Sequence, residues 1–454
     1  MRANSWTYRV GIFAVVLLLA LATSAPLAAQ RGGPPRDPNL PEEPTAVAIP
    51  TISAKVTGPG TMYQSVQSWP PGKDLPHFNY VEEEYLVTGT ARGEPYKTRI
   101  VVRKPADDAQ FSGFVMMEAM HPSGHTPIFE YTSNYFMDSG HIDVEVVTGG
   151  LNFLTEHNPA RYEGIQVSNS QVSEILAQIG AAIKSDHATS PIAGLGLRNM
   201  VLAGTSATAG ILVRYLPGHM VYRTPDMERI FDGFLPHANG STIQRVDVPL
   251  IQVPTMTEVM RGAATPRQDG DEPGNQYRLY EFAGMAHVDS RQSIRFQPHP
   301  CAMPMSQFPL QAYVSVALHH LLRWVDEGIT PPRADRVLVD RNPTNDGSLM
   351  ALDALGNPIG GIRNPYVDAP TAKHIFPNAL AEPEIPNAHP AAGTMCRLGS
   401  GQEVFSAAKL RELYGDKQTY LNRVESQVRG LEAAGWSLPV YREMIMADAD
   451  KVHF

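Results

Sequence analysis

Ser206 stands in Gly204-Thr205-Ser206-Ala207-Thr208-Ala209-Gly210, a run of small residues between the apolar stretches Met200–Ala203 and Ile211–Leu216. A serine hydroxyl is a weak nucleophile until a histidine takes its proton and a carboxylate steadies that histidine. A sharp strand-to-helix turn presents such a serine well. The turn is strained, so small residues are needed two positions before the serine and just after it. The helix start behind it offers N–H groups and a positive dipole end to developing negative charge. The strict pattern is GxSxG, and here Thr208 takes the place of the second glycine. The same run also suits a plain small-residue turn, so its partners decide.

In folds that place the nucleophile this way, the chain order is serine, acid, histidine. After the apolar stretch Pro249–Val253 comes Pro254-Thr-Met-Thr-Glu258, and after Tyr277–Phe282 comes Ala283-Gly-Met-Ala-His287. Glu258 and His287 therefore follow strand-like stretches just as Ser206 does, which sets all three at one edge of a sheet. Asp269 and Asp271 are rivals for the acid. His121-Pro-Ser-Gly-His125 has two histidines four apart, but Pro122 and Gly124 forbid the helix that would bring them onto one face. The loop carrying them follows the apolar run Phe114–Glu118, the place where a second backbone N–H for an oxyanion belongs. Ala207 supplies the first such N–H and His121 the second, with Met120 equally well placed. The chain has no HExxH, no phosphate-cradling glycine loop and no dinucleotide fingerprint, so neither a metal nor a cofactor is expected.

The elements that must position these groups read as alternating strands and helices. Glu84–Thr88 and Thr98–Arg103 are strands separated by the turn-like Arg92–Pro95, and Phe114–Glu118 and Ile142–Val147 follow. Val172, Ile175, Leu176, Ile179 and Ile183 keep helical spacing behind a cap at Ser170. Met200–Ala203 is a strand and Ile211–Leu216 a short helix stopped by Pro217-Gly218. Two further strands come at Pro249–Val253 and Tyr277–Phe282. Leu310, Val314, Leu318, Leu321 and Val325 mark a long amphipathic helix ended by Gly328. Residues from about Asp335 to Ala392 are turn-rich, and Ser406–Asp448 are helical. This alternation predicts an α/β fold with a sheet parallel at its centre and antiparallel at the edge that opens the chain.

The chain has 454 residues, 43% hydrophobic and 18% charged, with net charge −9. That supports a large core and runs against a nucleic-acid partner, which calls for a basic surface. Residues 1–29 read as a signal peptide: Arg2 and Arg9 precede the apolar run Val10–Ala22, and Leu27-Ala28-Ala29 offers a cleavage site. The run is shorter than the about 20 residues of a spanning helix. Export to the periplasm or beyond, without stable membrane insertion, is the expectation. Residues 30–45 read as a flexible linker and 46–454 as one catalytic domain with a helical layer at about 400–450. Cys301 and Cys396 have no CxxC context. In an oxidising compartment they are candidates for a disulfide, and two separate buried thiols fit equally well.

The chain resembles the α/β-hydrolase superfamily, and within it the exported proteins called "alpha/beta hydrolase domain-containing". The resemblance runs from about Tyr80 to the tail. It rests on EYLVTGTA (Glu84–Ala91), PYKTRIVVRKP (Pro95–Pro105), FSGFVMMEAMHPSG (Phe111–Gly124), GTSATAG, PLIQVPTMTE (Pro249–Glu258), YEFAGMAH (Tyr280–His287) and GGIRNPYVDAPTA (Gly360–Ala372). It implies an α/β-hydrolase fold and a triad of Ser206, Glu258 and His287. Relatives usually carry EWLN where this chain has Glu118-Ala-Met-His121, and glutamine where it has Ala207. The expected function is hydrolysis of small-molecule carboxylic esters through an acyl-enzyme. A non-catalytic binding protein on the same fold and a serine peptidase are the alternatives. The tail helices, with Leu421, Val424, Val428, Leu431 and Trp436, either roof the site or cover the sheet.

Overall fold

The computed structural model describes residues 40–67, 69–260, 267–288, 290–291, 301–339, 349–381 and 392–454. The signal-peptide stretch and most of the linker lie outside them. Leu40, near the linker's end, is buried.

Nine strands form the main sheet: β1 (Thr51–Ile52), β2 (Tyr80–Ala91), β3 (Glu94–Pro105), β4 (Phe114–Ala119), β5 (Ile142–Val146), β6 (Asn199–Thr205), β7 (Gly233–His237), β8 (Leu250–Gln252) and β9 (Tyr277–Leu279). Their spatial order is β9-β8-β7-β6-β4-β5-β3-β2-β1. From β9 to β5 every pairing is parallel. β3, β2 and β1 add on antiparallel. The β2–β3 hairpin turns at Arg92 and Gly93, both at positive φ (55° and 77°), the twist a two-residue turn needs to match its strands. This edge is not apolar. Buried Arg103 bonds Glu82 (2.8 Å) and Asp143 (2.6 Å), while Arg99 and Arg161 both bond Glu84. Opposite charges on facing strands, with Arg161 added from a nearby turn, let these acidic and basic residues lie inside.

The central strands are buried on both faces, and alternation decides which core each side chain enters. In β4, Val115, Met117 and Ala119 join one cluster, and Phe114 and Met116 the other. The first cluster is covered by α1 (Val172–Lys184) and α2 (Ala207–His219). The second is covered by the long helix α4 (Leu310–Glu327). Gly328 closes α4 in the left-handed conformation, φ 67°. The tail forms α6 (Ala407–Tyr414), α7 (Lys417–Ala433) and α8 (Arg442–Asp450). Leu410, Val424, Val428 and Ile445 pack into that second core. Trp436 stands edge-on to Tyr280, ring centres 5.0 Å apart. The tail is therefore a cover for one face of the sheet, the second of the two readings left open. No described helix is long and apolar enough to cross a membrane.

Two local readings are corrected, and one strand is new. α1 is preceded by Gln171, not Ser170, and no side chain caps it. α2 starts directly after Ser206 and runs through Pro217 and Gly218 to His219. β7, in the middle of the sheet, carries Pro236, a residue that speaks against a central strand when only sequence is read. The Pro236 carbonyl is still used, accepting from the Val253 N–H at 2.9 Å.

Candidate active site

Ser206 sits on the turn between β6 and α2 with φ 54° and ψ −114°, a conformation that side chains other than glycine's adopt only under strain. Local bonds hold it there. The Ser206 N–H donates to the His237 carbonyl at 3.0 Å. Thr208 Oγ1 accepts from the Thr205 N–H (2.8 Å) and donates to the Thr205 carbonyl (2.9 Å). The threonine in the place of the second glycine thus closes a small ring on the chain just before the serine. Gly204 has no such freedom, since a Cβ there would lie 2.7 Å from the Thr208 backbone.

The sheet brings β6, β8 and β9 to a common edge, and the groups that follow them meet. His287 Nε2 is 2.9 Å from Ser206 Oγ, and His287 Nδ1 is 2.9 Å from Glu258 Oε1. Glu258 lies in α3 (Met256–Met260), and its other oxygen accepts from the Thr255 N–H (2.9 Å) and hydroxyl (2.6 Å). Burial raises the Glu258 pKa, but the bonds from His287 and Thr255 outweigh it and bring the value down to about 2. An ionised Glu258 takes a proton donor on its histidine side, so Nδ1 carries the hydrogen and Nε2 is left to accept from the Ser206 hydroxyl. Both Glu258 and His287 are less than a tenth exposed.

The rival carboxylates are elsewhere. Asp269 pairs with Arg336 and accepts from the Leu279 N–H, and Asp271 pairs with Arg278 and Arg333. Of the two candidates for the second oxyanion N–H, Met120 is already spent, donating to the Val146 carbonyl at 2.7 Å. His121 lines the cavity with Ser206, and Ala207 opens α2 beside the serine. The loop bearing His121 is anchored by buried Glu118, whose oxygens accept from the Ile128 (2.6 Å) and Phe129 (3.0 Å) N–H groups.

Ser206 and His287 open into a cavity of about 570 Å³. The loop His121–Thr126 lines it with polar groups, and Tyr131, Phe153, Val288, Met395 and Leu398 supply apolar surface. No Lys, Arg, Asp or Glu is among its described lining residues. No group of three or more His, Cys, Asp or Glu side chains among the described residues is arranged to hold a metal ion.

Several of these residues escape sequence reading. His237, at the end of β7, is wholly buried under the turn, with Nδ1 2.9 Å from Thr205 Oγ1. Burial pushes its pKa down to about 3, so it stays neutral. The Pro236 beside it hides its strand from a sequence reading. Met395 and Leu398 belong to α5 (Ala392–Leu398), a short helix that begins where the turn-rich region ends. The only pointer to it was Cys396, which is bonded to Cys301 with the Cα atoms 5.5 Å apart.

A family model described as "Alpha/beta hydrolase domain" matches residues 43–447. Among solved structures, a brefeldin A esterase, a bacterial homologue of human hormone-sensitive lipase, is similar at 15% identity and a TM-score of 0.25. The match covers 39% of this chain and 44% of that one. A poly(3-hydroxybutyrate) depolymerase from Bordetella parapertussis is similar at 10% identity and a TM-score of 0.32, covering 57% of this chain and 92% of that one. A cold-adapted esterase from an Arctic intertidal metagenomic library matches at 10% identity and a TM-score of 0.24, covering 44% and 84%. No curated protein matches.

Proposed function

The chain belongs to the alpha/beta hydrolase domain family, and on that premise we propose that it is an exported serine hydrolase acting on carboxylic esters of small, uncharged molecules. The observation that carries the reading is the two-bond relay from Glu258 through His287 to Ser206, each step 2.9 Å, at the wall of a cavity.

In this reading Ser206 Oγ attacks the ester carbonyl carbon while its proton passes to His287 Nε2. Glu258 stabilises the imidazolium that forms and keeps the ring in the useful tautomer. The carbonyl oxygen gains negative charge as the tetrahedral intermediate forms. The Ala207 N–H, helped by the positive end of α2, and the His121 N–H receive it, and one such donor is typically worth about 3–4 kcal/mol. Collapse breaks the bond to the alcohol oxygen, which leaves with the proton from Nε2. A water then gives its proton to His287 and attacks the acyl-serine. The acid is released and Ser206 is restored.

The absence of fixed charge among the described lining residues supports a neutral substrate, since a bound ion there would lack a partner. A volume of about 570 Å³ falls in the range that encloses drug-sized molecules. Export is supported by the signal-like residues 1–29 and by the Cys301–Cys396 bond, which suits an oxidising compartment. Stopped-flow hydrolysis of p-nitrophenyl acetate tests the reading. A burst of nitrophenol equal to the enzyme concentration, absent in Ser206→Ala, is expected. No turnover of any uncharged ester, with turnover of peptide anilides, would replace it by a peptidase. Binding without turnover of either class would leave only the binding-protein alternative.

A further inference from the structure

The tail helices cover the sheet, which leaves the catalytic cavity to be roofed by something else, and α5 does this. Met395 and Leu398, three apart, and Thr394, four before Leu398, fall on one face of this helix and line the cavity holding Ser206 and His287. The neighbouring Cys396 is fully buried and bonded to Cys301. At the C-terminal end of the helix, the Leu398 carbonyl accepts from Thr257 Oγ1 at 2.8 Å. Thr257 is in α3, the helix that carries Glu258. Gly399 follows, its N–H donating to the Met395 carbonyl at 2.7 Å, and a Cβ there would lie 2.9 Å from that oxygen. Just beyond, the Ser306 N–H donates to the Ser400 carbonyl (3.2 Å) and the Gln402 N–H to the Pro304 carbonyl (2.9 Å). One covalent bond and three hydrogen bonds thus fix a seven-residue helix that would have no stability alone.

The two sides of the cavity differ in chemistry. The His121–Thr126 side presents imidazoles and hydroxyls, while Met395, Leu398 and Val288 present thioether and aliphatic surface. We infer that α5 is the specificity element of the site: Met395 and Leu398 form the subsite for the aliphatic chain of a medium-length ester, and the Cys301–Cys396 bond holds that subsite over the triad. The inference rests on the ester-hydrolase reading for its substrate class, but the subsite itself is a matter of binding. Met is well suited to it, being long, unbranched and able to follow a flexible chain. Losing apolar contact of one or two methylene groups in a pocket changes discrimination by roughly tenfold.

The test compares kcat/KM for p-nitrophenyl acetate and decanoate, and for ethyl and decyl acetate, in wild type, Met395→Ala and Leu398→Ala. In at least one of the two series the long-to-short ratio is expected to fall roughly tenfold in each variant, mostly through KM. Ratios unchanged within twofold in both series would overturn the inference. The double substitution C301S/C396S tests the tether, and a folded double variant with the wild-type ratio would contradict it. If wild type turns over no ester, the same question is put to Ser206→Ala by measuring its affinity for the intact esters. Weaker decanoate or decyl binding on adding Met395→Ala then supports the subsite although the hydrolase reading has failed. Unchanged binding removes both.

Discussion

Thr208 Oγ1 bonds both the N–H and the carbonyl of Thr205, at 2.8 and 2.9 Å, across the residue proposed as nucleophile. The departure from GxSxG is therefore a substitution with its own structural role. A methyl group in place of that hydroxyl leaves the buried Thr205 N–H without its acceptor, a loss on the order of 1–3 kcal/mol. Thr208→Val, which keeps the shape, should lower the urea midpoint accordingly and reduce kcat more than it raises KM. A variant as stable and active as wild type would show that the ring is incidental.

Ser206 itself stores strain, with φ 54° and ψ −114°. Replacing it with glycine relieves that strain, whereas alanine keeps it. Ser206→Gly should melt higher than Ser206→Ala, by an amount corresponding to about 1 kcal/mol, and both should be inactive. Calorimetry of the two variants settles the order. Equal melting temperatures would mean the backbone relaxes at no cost.

The acid can be separated from its former rivals. Glu258→Gln offers His287 an amide in place of a carboxylate, so the useful tautomer and its cation are no longer favoured. Turnover should fall by roughly 10³–10⁴-fold with circular dichroism unchanged. Asp269→Asn, whose carboxylate pairs with Arg336 and not with His287, should keep kcat within a few-fold. The reverse pattern would reassign the acid.

The pH dependence of stability follows from the same carboxylate. The folded-state pKa of Glu258 is depressed from 4.5 to about 2, so the group stabilises the fold above its unfolded pKa and loses that contribution as pH falls towards 2. The span amounts to on the order of 3 kcal/mol. The difference in urea stability between wild type and Glu258→Gln should shrink as pH falls from 4.5 to 2. A difference that stays constant across that window would show that Glu258 is not held ionised by the fold.

Much of this architecture is legible in sequence because continuous apolar runs, such as Phe114–Glu118 and Met200–Ala203, have few alternatives to a strand buried on both faces. Gly233–His237 is not, since Pro236 argues against a central strand, and the pairing that tolerates it lies on β6 and β8. The start of α2 is equally hidden: Ala207-Thr-Ala-Gly210 has no apolar periodicity, and the helix is set by the turn before it. Glu258 is separated from Asp269 and Asp271 only by where each carboxylate ends up. Arg336 claims Asp269 and Arg333 claims Asp271 from distant parts of the chain, and Arg278 adds a second bond to Asp271 from the next strand. The roof is least legible of all. Met395 and Leu398 reach the cavity because Cys396 meets Cys301 and Leu398 meets Thr257, and no local pattern encodes either contact.

The most direct measurement is intact and peptide-level mass spectrometry of the protein after brief exposure to a fluorophosphonate. A single adduct on the peptide containing Ser206, formed rapidly in wild type, slowed strongly in Glu258→Gln and absent in Ser206→Ala, is the predicted result. No adduct in wild type, or one on a serine other than Ser206, would contradict the account.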